Sequence, residues 1–274
     1  LDSLVSREGS FLGVNVLFLA LAFAVLLGTL FPLIVEAITG DRVTVGPPFF
    51  DQVTLPLWLS VLLLMGIGPL LPWRRAEEQS LRRNLAWLAG GLVVAGALAW
   101  LLGVRRVYPM LTVALAGYNL VSLGLLLSGA LVPRMRLAQR PALQVLRSYA
   151  HENRRRVGSM IVHFAVVVIA VGVAFSSGYR VDEQIRIDVG GSAVFEGYTL
   201  TAVDLFVEPT PARVSAGALV EVRSGERLVT TLRPRINVFA GSQRGIPTPA
   251  VLYTPWHDLY LSLNSTVGAD TTFV

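Results

Sequence analysis

The sequence predicts a membrane all-α bundle of about five transmembrane helices followed by a C-terminal extracytoplasmic antiparallel β domain, a small barrel or sandwich. Three observations carry this expectation. Hydrophobic residues make up 53% and charged residues 15% of the 274 residues, against about 25% charged in a soluble chain, and the mean hydropathy is +0.61. The apolar residues gather into five long neutral stretches before residue 180. From Arg180 onward they break into short alternating runs separated by turn residues.

The five stretches are 9–35, 52–73, 84–104, 107–133 and 157–179. Each supplies the roughly 20 apolar residues that a helix needs to cross a bilayer, with spans expected at about 11–35, 53–73, 84–104, 107–132 and 157–178. Five in succession argue against buried helices of a soluble core. The first is too long for the apolar region of a cleaved signal peptide, and no small-residue cleavage site follows it. Leu1 is not the methionine of a native start. The membrane part is therefore expected over residues 1–178 and the β domain over 179–274.

Orientation follows from arginine, which supplies all 23 basic residues. The 74–83 loop holds four and the 134–156 loop seven, whereas the 36–51 loop holds one. Basic loops stay in the cytoplasm, which places everything after Tyr179 outside. Arg105 and Arg106 then fall in a short outer turn, against the rule, and could meet an anion or reach lipid headgroups. Residues 1–178 carry 15 arginines and eight acids, a net of +7, while residues 179–274 carry eight arginines and ten acids, a net of −2. The basicity thus belongs to the cytoplasmic membrane surface, where anionic lipids attract it. Nucleic acid has no support as a partner.

In the outer part, residues 184–189, 198–203, 218–222, 228–232, 250–253 and 259–263 alternate as strands do. Turns are expected at Gly190-Gly191, Glu196-Gly197, Ser224-Gly225 and Gly241-Ser242, the first and third suited to two-residue hairpins.

The chemistry available is narrow. The chain has no cysteine and no lysine, which excludes thiolate metal sites, thiol catalysis and Schiff-base chemistry. It carries no nucleophile elbow, phosphate loop or zincin motif. Glu36, Asp41 and Asp51 flank the first outer loop and form no carboxylate pair suited to acid–base work. His163 is the ionisable group in the middle of a predicted span, and such residues are costly and functional by default. A neutral imidazole there either ligates haem iron through one nitrogen while the other fixes the tautomer, or makes an interhelical hydrogen bond. Gly158, Ala165 and Gly172 form a small-residue stripe about 160° around the same helix from His163, suited to close packing. His151 reads as a solvated loop residue beside Glu152 and Arg154–156. His257 reads as a cap or turn residue opening a strand.

Several segments together resemble a known family. Ser3-Leu-Val-Ser-Arg-Glu8, Gly28-Thr-Leu-Phe-Pro32, Val45-Gly-Pro-Pro-Phe-Phe50, Gly66-Ile-Gly-Pro69, Arg154-Arg-Arg-Val-Gly158 with Ile161-Val-His163, and Asp258-Leu-Tyr260 resemble, in order, the C-terminal half of the CcmF/NrfE-type cytochrome c haem lyase family. The resemblance implies a bacterial inner-membrane protein with its β domain in the periplasm. It implies haem received from a CcmE-type periplasmic chaperone and attached to apocytochrome c, with CcmH/CcmI-type thiol and apocytochrome-binding subunits as partners. It also implies a membrane haem b that reduces the incoming haem, with His163 as one axial iron ligand and quinol as a candidate reductant. The family's tryptophan-rich haem-handling segment, its flanking outer histidines, its first membrane haem ligand and its final helix have no counterpart here. Thr248-Pro249 stands where the family tends to have Thr-Glu. This piece alone is expected to be inactive. A non-enzymatic assembly scaffold whose outer domain docks maturation partners is the alternative. A solute transporter is a third reading, supported by the Gly66–Pro72 interruption alone.

Overall fold

The computed structural model describes residues 6–41, 43–71, 78–138, 141–241, 245–255, 257–267 and 270–273. Leu1, the 3–5 segment, Arg42, Arg74, Arg75, Arg140, Ser242 and Trp256, used in the sequence reading, lie outside the described residues. The chain divides into two compact units, Leu1–Arg180 and Val181–Val274.

The first unit consists of α1 (Arg7–Thr39), α2 (Pro47–Ile67, continued by a 3₁₀ turn Gly68–Leu70), α3 (Glu78–Leu101), α4 (Val107–Ala138), α5 (Ala142–Glu152) and α6 (Arg154–Gly178). Five of these are long and apolar enough to cross a membrane, and they fall on the five expected stretches. Their ends are set by local chemistry. Ser6 caps α1 by accepting the Gly9 N–H at 3.1 Å. Pro69 stops the α-helical part of α2 at Ile67, and the 3₁₀ turn ends at Leu70, three residues before the expected end of the span at 73. Gly103, at φ +90°, stops α3, with Val104 N donating to Ala99 O and Gly103 N to Trp100 O, the two bonds of a Schellman ending.

The basic 134–156 segment is not a loop. α4 runs on to Ala138, and α5 lays Val145 and Tyr149 inward, four residues apart, while Leu143 and Leu146 stay exposed. Arg134 lies over the Tyr149 ring at 4.7 Å.

The core of the bundle is α4, which packs on α2, α3 and α6. Thr112, Leu115, Tyr118, Asn119 and Ser122 recur on one buried face at helical spacing. Against α3 the backbones nearly touch: a Cβ at Gly117 would stand 2.2 Å from the Ala95 Cβ and 2.7 Å from Gly91 O. Lipid supplies no hydrophobic drive between helices, so this close small-residue contact holds the pair. The expected stripe on α6 does not do this work. A Cβ at Gly158 or Gly172 would meet nothing within 4 Å, because that face of α6 looks away from its neighbours in the unit.

The second unit is antiparallel throughout. Its strands are β1 (Ile185–Arg186), β2 (Ser192–Phe195), β3 (Tyr198–Pro209), β4 (Arg213–Ser224), β5 (Arg227–Leu232), β6 (Arg235–Phe239), β7 (Gly245–Thr248), β8 (Ala250–Tyr253), β9 (Asp258–Leu261), β10 (Leu263–Val267) and β11 (Asp270–Phe273). The main sheet runs β2-β3-β4-β6-β7 with β5 also on β4; β8 pairs β9, and β1-β11-β10 form a third ribbon. Leu200 and Ala202 of β3, Ala218, Val220 and Val222 of β4, and Leu259, Leu261 and Leu263 alternate into one core. Gly190-Gly191 does not make the expected hairpin, since β1 pairs β11 rather than β2; there the Gly190 N–H donates to Ala202 O at 2.7 Å. The two-residue hairpin turn is instead Glu196-Gly197, between the paired Phe195 and Tyr198, both residues with positive φ. The third turn is a two-residue loop as expected, closing on the paired Ser224 and Arg227, but its loop residues are Gly225 and Glu226, one position later than Ser224-Gly225.

Candidate functional site

α6 begins with three arginines and no acid in its first turn, although cations there oppose the helix dipole. Nor does Asn153 give a side-chain cap. Its long apolar run and its packing, rather than its ends, therefore hold this helix. Arg156, Ser159, His163, Val166 and Ala170 recur along it at three- and four-residue spacing and line a cleft of about 1320 Å³ between α1, α2, α4 and α6. The volume exceeds the roughly 300–1,000 Å³ of common small-molecule pockets.

The cleft is mostly apolar. Phe18 of α1 and Trp58 of α2 meet edge to face across it, with centroids 6.1 Å apart. Its polar groups are segregated by depth. Arg7 and Arg156 stand at the end where Arg7 Nη2 donates to Pro69 O at 2.5 Å. Asp51, Tyr108 and Thr112 stand toward the other end, where Gly178 packs on Pro109.

His163 is half-buried in the cleft wall. Its Nδ1 lies 2.8 Å from the Ser159 carbonyl oxygen, one turn back. A carbonyl only accepts, so Nδ1 carries the proton and donates. Nε2 is then a lone-pair nitrogen, with no partner among the described residues. This is the tautomer a metal-ligating imidazole adopts when its second nitrogen is held by a backbone carbonyl.

The other candidates lie elsewhere. His151 Nε2 sits 2.9 Å from Arg154 Nη2 at the end of α5. His257 is an exposed turn residue: its N–H donates to Thr254 Oγ1 at 3.0 Å and its Nε2 lies 3.0 Å from the Tyr198 hydroxyl. Among the described residues no three His, Cys, Asp or Glu side chains gather as a metal site. Arg105 turns back on α3, donating to the Trp100 carbonyl and covering the Trp100 ring at 4.7 Å. It thereby neutralises the negative end of that helix, a use the sequence reading did not consider.

The sequence reading also missed how α4 supports the cleft. Tyr118 Oη donates to Leu63 O at 3.0 Å, Asn119 Nδ2 to Leu62 O at 3.0 Å, and Ser122 Oγ to Gly66 O at 2.5 Å. These three side chains grip the last turns of α2, the helix that carries Trp58 into the cleft. The signal was present as three uncharged polar residues at helical spacing inside an apolar stretch.

A scan against protein-family models finds none that matches. Individual relatives do match. The cytochrome c-type biogenesis protein ccl1 of Rhodobacter capsulatus is 30% identical over 95% of this chain and 38% of its own length. CcmF of Escherichia coli is 31% identical over 74% of this chain and 30% of its own length. CcmF of Haemophilus influenzae is 26% identical over 94% of this chain and 39% of its own. A solved structure, "Cytochrome c Heme Lyase CcmF", superposes with a TM-score of 0.69 at 28% identity, covering 99% of this chain and 42% of that one. The match covers both the helical unit and the antiparallel β unit. By sequence and by fold this multi-pass membrane chain belongs to the CcmF family of cytochrome c-type biogenesis proteins, and it spans about two fifths of the length of the relatives it matches.

Proposed function

We propose that this chain forms part of a cytochrome c haem lyase, which attaches haem covalently to apocytochrome c at the outer face of the membrane, and that His163 is an axial ligand of a haem b held within the bundle. The observation that carries the reading is the state of His163. Its Nδ1 proton is committed to Ser159 O, and its remaining nitrogen is a lone-pair donor in the wall of a large apolar cleft. Imidazole of this kind suits haem iron, and an apolar helical surround tunes the iron through burial and hydrogen bonding to the ligand. When bound, the haem supplies a one-electron iron couple able to reduce the haem being transferred.

This chain's residues hold, orient and exclude water. Phe18, Trp58, Val166 and Ala170 give the cleft its apolar faces, and the Ser159 carbonyl keeps the His163 ring in one orientation and one tautomer. Among the described residues His163 is the histidine that lines the cleft, and it is the residue of this chain that would hold the iron. The β unit lies on the outer side in this reading. There the transferred haem arrives from a CcmE-type chaperone, and CcmH/CcmI-type subunits present the apocytochrome thiols. These 274 residues contain no cysteine, so they offer no thiol of their own to compete with those of the apocytochrome.

The test is an absorption spectrum of the full-length protein in its assembly. Wild type is expected to show b-type haem bands, and His163→Ala to lose them or shift them to high spin. An unchanged spectrum in the variant overturns the ligand assignment.

A further inference from the structure

Three arginines open α6, and their side chains have different surroundings. Arg154 bonds His151. Arg156 lines the cleft and, among the described residues, has no side-chain hydrogen bond or ion pair. It stands seven residues before His163, which returns it to nearly the same helix face about 10.5 Å along the axis. Asp51 is the acid in the cleft wall, and it sits toward the opposite end. Arg156 is exposed at the rim of the cleft, and a cation in the first turn of a helix is disfavoured by the dipole. That penalty falls when an anion occupies the cleft next to it. Arg7, the other cation at this end, already gives a guanidinium N–H to Pro69 O.

We propose that Arg156 is the binding partner for the carboxylate groups of the planar ligand held at His163, so that the cleft reads its ligand twice, by a nitrogen on the iron and by a guanidinium on the propionates. The proposal rests on the haem-ligand reading of His163. A guanidinium matches a carboxylate with two parallel, charge-assisted N–H···O bonds, stronger where water is excluded. Arg156 is then a binding residue that also sets the iron's potential, because a fixed positive charge near the haem favours the ferrous state.

The experiment uses full-length protein, depleted of haem and reloaded with haem or with haem whose propionates are methyl esters. Wild type is expected to retain haem over the diester by about tenfold, Arg156→Gln to lose that preference, and Arg156→Lys to keep part of it. In Arg156→Gln the ferric-to-ferrous ratio at fixed potential rises about tenfold, a fall of about 59 mV for a one-electron couple. An undiminished preference with an unmoved potential in Arg156→Gln overturns the proposal and leaves Arg156 to lipid headgroups. So does equal loss of both haems in Arg156→Gln and Arg156→Lys. Failure of the underlying reading looks different: His163→Ala then keeps the wild-type spectrum, whatever Arg156 does.

Discussion

Gly66 and Gly158 are both glycines inside membrane helices, and their surroundings oppose them. A Cβ on Gly66 would fall 2.1 Å from Cε1 of Tyr118, whose hydroxyl is tied to Leu63 O. The ring cannot yield without breaking that bond. Gly66→Ala is therefore expected to destabilise the purified chain by about 1–3 kcal/mol, the range for forced overpacking, seen as a lower thermal midpoint in detergent. Gly158→Ala adds a methyl to open space and is expected to leave the midpoint unchanged or slightly raised, since alanine is the better helix former. A loss with Gly158→Ala as large as with Gly66→Ala would mean that the α6 stripe is filled after all. His163, by contrast, was legible as a residue from the sequence, because an imidazole surrounded by a long apolar run stands out. Its tautomer was not legible, since that depends on which carbonyl lies beneath the ring.

Among elements, the membrane helices were plain in the sequence and the strands only partly so. A helix long enough to cross a bilayer leaves some 20 residues of continuous signal, whereas a strand leaves a few. The expected strand 250–253 coincides with β8, while 198–203 is half of β3. A register shift after Ala202 turns the rest of β3 outward, and Leu205 and Val207 are exposed there, so the alternation that marks a half-buried strand fails. β7 contains Pro247, which argues against a strand unless it lies at an edge, and β7 is the last strand of its sheet. The seven arginines between 134 and 156 make α5 look like part of a basic loop, yet Val145 and Tyr149 give it one buried ridge. The β2–β3 hairpin offers a test at this scale. Glu196 holds φ +45° and Gly197 φ +81°, a two-residue turn that favours Asn-Gly. Glu196→Asn is expected to stabilise the β unit by about 0.5–1 kcal/mol, read as a higher denaturation midpoint, whereas Gly197→Val should lower it. A lower midpoint with Glu196→Asn would mean that the glutamate makes a compensating contact outside the turn.

For the whole molecule, the distribution of charge predicts which way the chain faces. Of the 23 arginines, 15 lie in residues 1–178, and seven of those fall between 134 and 156, the stretch that holds α5. Of the two arginines that break the rule in the turn after α3, Arg105 caps that helix, so its placement follows from local structure, while Arg106 stays an exception to the rule. On this basis we propose that α5 faces the cytoplasm and that the β unit, one membrane helix later, faces outward. The chain's lack of cysteine makes the test clean, because a single introduced thiol is the chain's only one. Gln144 on α5 and Glu226 in the β4–β5 turn are both exposed, so Gln144→Cys and Glu226→Cys report opposite sides without disturbing a core. A membrane-impermeant maleimide added to cells with a permeable outer envelope is expected to label Glu226→Cys at once and Gln144→Cys after the inner membrane is opened. The reverse pattern would invert the molecule and place the β unit away from the apocytochrome it is proposed to serve. Labelling of both before opening would show that α6 does not cross, and the cleft that holds His163 would then lie outside the bilayer interior on which the haem reading depends.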